Sequence, residues 1–262
     1  MEIPFNFTFV AVLVFAFIFA STFILLEAGR RLGVRRRALD PEGAAAGLGA
    51  VEGAVFGLLG LLLAFTFSGA ASRFDARRQL IVEETNAIGT AYLRLDLLPP
   101  DDQLKLRDDF RTYVTTRLSV YRKLPDLEAS KAEMSKATAL QGQIWTRAVA
   151  ACKAVNSPAV TSLVLSSLNE MIDITTTRTV ASRTHPPVIV FAMLFVLLLA
   201  SSLLAGHGAS AGKTLSWLHM IGFAFIMAFA VYVIIDIEFP RVGLVRIDYV
   251  DQILVDLRDS MR

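Results

Sequence analysis

The chain is poor in nearly everything that chemistry in water uses. It has one cysteine, Cys152, in 262 residues, so neither a disulfide framework nor a cysteine-rich metal module is available to it. It has three histidines, His185, His207 and His219, and no two of them lie on adjacent turns of one helix, which leaves no His-based metal pattern. There is no GxSxG, no HExxH, no glycine-rich phosphate loop ending in Lys-Ser or Lys-Thr and no cysteine pair, so the sequence predicts neither an enzyme nor a cofactor. Charge is scarce as well, at 19% of residues against about 25% in ordinary domains. The net charge of +2 gives no reason to expect nucleic acid as a partner.

What fills the space is apolar: 54% of residues, clustered toward the two ends. Phe5 to Leu26 is 22 residues without a charge, enough at about 1.5 Å per residue to cross a hydrocarbon core of about 30 Å. No Lys or Arg precedes it, it is longer than a signal-peptide core and arginines follow it, so an uncleaved helix is expected. A second span is expected between Ala44 and Ala71, where Glu52 is the only charge, a third over Val188 to Ala205 and a fourth over Leu215 to Ile235. Short connections, Glu27 to Gly43 and Gly206 to Thr214, predict two antiparallel hairpins.

Between the pairs, residues 72 to 186 hold 29 of the chain's 50 charged residues and read as a water-exposed helical insert. Phe110, Tyr113, Val114, Arg117, Leu118 and Tyr121 recur at helical steps, as do Val160, Leu163, Val164, Leu168 and Met171. Pro99-Pro100-Asp101-Asp102, Pro125 and Asn156-Ser157-Pro158 punctuate it into helices near 72–97, 101–124, 128–154 and 158–183. Arg241 to Arg262 has Ile247, Val250, Leu254 and Leu257 near helical spacing and predicts a short amphipathic helix. The expected fold is therefore an all-α integral membrane protein, four transmembrane helices in two hairpins around a helical soluble insert. Its expected parts are 1–71, 72–186, 187–240 and 241–262.

Orientation is not decided by charge. Arg30, Arg31, Arg35, Arg36, Arg37 and Lys213 lie on one side, and Arg73, Arg77, Arg78, Arg178, Arg183, Arg241 and Arg246 on the other.

The second span carries the most specific pattern. Gly49, Gly53 and Gly57, with Ala46, Ala50 and Ala54, give it a face of small residues that lets another backbone approach. Helix packing and the lining of a permeation path are both open as its purpose. Glu52 either faces a bundle interior or a wet cavity, as intramembrane carboxylates do, or lies solvated at the interface. Phe56, Leu59, Leu63 and Phe67 follow at helical steps, and then Arg73, Arg77 and Arg78. An apolar ring from several subunits could gate by dewetting, with arginines at its mouth concentrating anions; lipid-facing side chains with a charged cap are the plainer reading.

Leu61 to Gly89, LLLAFTFSGAASRFDARRQLIVEETNAIG, resembles the stretch in bestrophins where the second span emerges into an Arg-aromatic-x-x-x-Arg run, and it is closer still to the bacterial bestrophin-like family. Asp236-Ile237-Glu238-Phe239-Pro240-Arg241-Val242-Gly243 is similar to the acidic turn after the last span in that family. The resemblance implies a homo-oligomeric, pentameric anion channel of the cell (inner) membrane with its insert cytoplasmic. It further implies Leu63 and Phe67, with Phe56, as neck residues, and Asp236 and Glu238 as the remnant of an acidic cluster that in some bestrophins takes calcium. With that cluster reduced to two residues and a short tail, calcium gating is not expected, nor is any metal. The alternative is a membrane-anchored sensor or assembly module whose insert binds a partner without conduction, supported by the heptad-like faces of the insert.

Overall fold

The computed structural model describes residues 7–39, 48–124, 126–210, 217–241 and 243–261. Among them every regular element is helical: α1 Phe7–Leu39, α2 Leu48–Leu93, α3 Pro100–Arg122, α4 Leu127–Val155, α5 Pro158–Arg183, α6 Val188–Ala209, α7 Trp217–Glu238 and α8 Gln252–Ser260. Short 3-10 turns at Arg94–Leu97 and Asp248–Asp251 follow α2 and precede α8. Four helical stretches are long and apolar enough to cross a membrane.

The punctuation works as its chemistry requires. The Asp126 carboxylate accepts from the Ala129 amide at 2.9 Å and starts α4. Asn156 ends α4 with φ 51°, the left-handed conformation that asparagine tolerates best after glycine. Ser157 then caps α5, with Pro158 in its first turn.

The chain divides into two compact units, residues 1–72 with 185–245, and residues 73–184 with 246–262. In the first, α1 packs most extensively along α6 and then α7. Phe17 stacks on Phe195, Gly29 lies against the Leu203 carbonyl, Gly33 against the His207 carbonyl, and the Arg37 Nε donates to Ser210 Oγ at 3.1 Å. Rising numbers meet rising numbers, so α1 and α6 run parallel. Phe15 meets Phe225 and Tyr232 while Phe23 meets Trp217, so α7 runs antiparallel to α1. Simple hairpin pairing predicts α2 as the chief neighbour of α1; the helix that fills that role is α6, because glycines on α1 and α6 let those two backbones touch. Glu27, expected to begin a loop, lies on α1, which stays helical to Leu39 and carries all five arginines. His207, expected in a loop, lies on α6.

The second unit buries Ile81 and Ile88 of α2, Phe110, Tyr113, Val114 and Leu118 of α3, Ile144 of α4 and Val164, Leu168 and Met171 of α5. Leu163 is the exception to the expected periodicity and is exposed. Leu254 of α8 is fully buried and Ile247 nearly so, so the C-terminal segment is part of this core.

A charged cluster sits inside it. Glu84 and Arg117 are fully buried and Arg178 nearly so. Arg117 Nε donates to Glu84 Oε1 at 2.6 Å, Arg178 pairs with the other Glu84 oxygen, and Arg178 also reaches Asp251 at 3.2 Å. The Tyr121 ring lies 4.0 Å beneath the Arg178 guanidinium. Burial works against the charge on Arg117, but the Glu84 carboxylate more than offsets it, and its pKa is held above the ordinary arginine value. One carboxylate thus ties α2 to α3 and α5, and Asp251 adds the C-terminal segment.

Candidate functional site

α2 is an unbroken helix of 46 residues, about 69 Å long at 1.5 Å per residue. Its apolar part belongs to the first unit and its polar part to the second. Leu59 and Ala70 face the core of the first unit, and Leu62 and Leu63 pack partly against it. Much of the rest of its apolar part is open. Among the described residues nothing lies within 4 Å of where a side chain would project from Gly49, Gly53, Gly57 or Gly60. Leu58, Leu61, Phe65 and Phe67 are each about half exposed or more. Among the described residues the small-residue face is therefore not used for packing inside the chain; Ala46 lies outside them. The glycines that are so used are Gly29, Gly33 and Gly206: a side chain on Gly206 would run into the Leu26 carbonyl. Gly29-x-x-x-Gly33 was readable in the sequence, at the close-packing spacing, but it falls past the first charge after the apolar run.

Turning about 100° per residue, Gly49, Phe56, Gly60 and Phe67 fall within one sector about 40° wide. Phe56 is half-buried and Phe67 exposed. Leu63 lies at the edge of this sector, turned toward the core, and so differs from the other two neck candidates. Glu52 is half-buried, and its carboxylate lies beside Gly208 of α6. Because Gly33 and Arg37 of α1 meet His207 and Ser210, Glu52 stands at the arginine-bearing end of the bundle, not at its middle.

The three arginines after the span have different surroundings. Arg77 is buried and donates to the Ala181 and Thr184 carbonyls at 3.1 and 2.9 Å, closing the C-terminal end of α5. Arg78 pairs with Asp75 at 3.2 Å, lies over the Phe74 and Tyr249 rings, and borders an open groove of about 540 Å³ with Asp75, Gln79, Val82, Glu83, Asn86 and Val250. Arg73 is half-buried. Exposed positive charge at this level is therefore carried by Arg78 more than by Arg77.

The acidic turn after α7 is internally satisfied. Asp236, 5% exposed, accepts from Tyr232 Oη and the Leu244 amide at 2.9 Å each and from the Val245 amide at 2.7 Å. Gly243 lies so close that any side chain there would enter the Asp236 carboxylate. Glu238, fully buried, meets His185 Nδ1 at 2.9 Å, and the Phe239 ring stacks on His185 with centroids 4.5 Å apart. A cation at Asp236 would have to displace three donors. In this chain Asp236 holds the turn back against α7. Among the described residues no three His, Cys, Asp or Glu side chains come together as a metal site would need.

The buried Glu84–Arg117–Arg178 cluster was missed by sequence reading. Arg117 fell on the apolar face of α3, between Val114 and Leu118, and that placement was its signal.

A family model described as the Bestrophin-like domain matches residues 8–251 of the chain. No curated protein and no solved structure matches it.

Proposed function

The chain belongs to the bestrophin-like family and is a membrane protein with four helices apolar enough to span the bilayer; on that premise we propose that it is a homo-oligomeric, anion-conducting channel whose path is lined by α2. The observation that carries this reading is the open face of α2. Four glycines in twelve residues meet no described residue outside their own helix, although a glycine-rich helix face in lipid is suited to close backbone approach. The partner for that face is a second copy of α2. Gly53, Gly57 and Ala64 admit the neighbouring helix, while Phe56, Gly60 and Phe67 turn to the axis. An apolar ring of Phe56 and Phe67 makes a constriction that gates by wetting, and Arg78 beyond its mouth raises the local anion concentration. Five copies are the stoichiometry that the family resemblance favours, in the inner membrane with the second unit in the cytoplasm.

The test is stoichiometry together with conduction. Native mass spectrometry of the detergent-solubilised protein should give one closed oligomer, and the same preparation in planar bilayers should pass chloride current. A monomer that stays silent over the full voltage range contradicts the proposal.

A further inference from the structure

The C-terminal third of α1 extends beyond what crossing the membrane requires. Phe7–Leu39 is 33 residues long, about 50 Å, while the hydrocarbon core needs only about 20 residues. Its apolar run ends at Leu26. The twelve or so residues that follow must therefore rise through the headgroup layer as continuous helix. They carry Arg30, Arg31, Arg35, Arg36 and Arg37, about 10 Å from first to last along the axis, comparable to the depth of that layer.

Two of the five are used up within the fold. Arg30 is held by Glu27 at 2.8 Å, and Arg37 donates to Ser210. Arg31 shares the same Glu27 but is 70% exposed. Arg35 and Arg36 are exposed, and among the described residues no carboxylate pairs with either. Between and beyond them Leu32, Val34 and Leu39 are 53%, 46% and 87% exposed. Arginine forks interleaved with bare apolar side chains, continuous with a lipid-facing span, match a lipid whose headgroup is a phosphate and whose chains lie alongside. Guanidinium takes phosphate oxygens in a bidentate manner, which a point charge does not reproduce.

We infer that Arg31, Arg35 and Arg36 at the end of α1 form a binding site for an anionic phospholipid headgroup. The site depends on the membrane assignment and not on conduction.

The protein supplies its own reporter. Trp217 at the start of α7 stacks 5.9 Å from Phe23, about two to four turns before the site's arginines on α1, and is 49% exposed. The chain's other tryptophan, Trp145, belongs to the second unit and gives a background. The full-length protein is reconstituted into phosphatidylcholine vesicles in which a fraction of lipid is replaced by chain-brominated phosphatidylcholine or chain-brominated phosphatidylglycerol, and quenching is compared. Quenching by the brominated phosphatidylcholine reports insertion alone. The expected result is that phosphatidylglycerol associates about fivefold or more tightly than phosphatidylcholine at low salt, and that high salt removes most of the difference. Arg35→Gln with Arg36→Gln should bring the ratio to about one, and Arg35→Lys with Arg36→Lys should leave it in between. Equal quenching by the two lipids overturns the inference, as does a preference that the glutamine variant keeps. A preference abolished by inorganic phosphate at an ionic strength where chloride leaves it intact also overturns it, since the site then takes a free anion. If the glutamine variant does not fold, the salt dependence of the unmodified protein decides.

Discussion

Replacing Glu84 by leucine is expected to lower the stability of the full chain by about 3–5 kcal/mol, because it leaves two arginines in a low-dielectric interior without their carboxylate. Arg117 is fully buried and Arg178 nearly so, and neither can reach water without opening the packing of the second unit. The measurement is thermal melting in detergent followed by far-ultraviolet circular dichroism, with a fall in Tm on the order of 10 °C. A second variant separates charge from volume. With Glu84→Leu, Arg117→Met and Arg178→Met together no buried charge is stranded, and Asp251, partly exposed, turns to solvent. Most of the lost stability should return. If the single variant melts like the unmodified protein, the cluster does not tie α2 to α3 and α5 as described.

The second large effect concerns glycine. Gly206→Leu places a side chain into the Leu26 carbonyl and Arg30 amide, so α1 and α6 must separate along the stretch that carries the first unit. In lipid that contact is sustained by packing, with no hydrophobic drive to restore it, and a loss of about 3 kcal/mol or more is expected. Gly222→Leu, where no described residue lies within 4 Å, should melt normally. Gly57→Leu is also open within the chain and should leave the subunit folded, yet it should dissociate the oligomer, since on the present account a neighbouring copy lies there. Melting and native mass spectrometry on the three variants separate a contact within the chain from a contact between copies. Equal behaviour of Gly206→Leu and Gly222→Leu would contradict the α1–α6 packing.

The contrast between these glycines shows where sequence reading reached and where it stopped. Periodicity and punctuation located the helices of the insert to within a few residues, because Pro100, Asp126, Asn156 and Pro158 act on their own backbone and need no tertiary information. Apolar runs located the spans for the same reason. Which faces meet is a tertiary matter: the sequence marks Gly49, Gly53 and Gly57 as the small-residue face, and only the fold shows that Gly29 and Gly33 meet α6 while that face meets no described residue outside its own helix. Asp236 and Glu238 were legible as unusual acidic residues after a span. Their partners, backbone amides of 244 and 245 and His185, are set by a turn and by a residue more than fifty positions away, which no local pattern encodes.

The central claim is that α2 lines the path, and the single native cysteine makes it directly measurable. In a Cys152→Ala background, which removes a buried thiol of the second unit's core, single cysteines are placed along α2 and a negatively charged methanethiosulfonate is applied during bilayer recording. Block is expected at Phe56, Gly60 and Phe67, on one sector of the helix, and none at Leu59 or Ala70, which face the core. Block at no position of α2, or block only from cysteines on α6 or α7, would contradict the account.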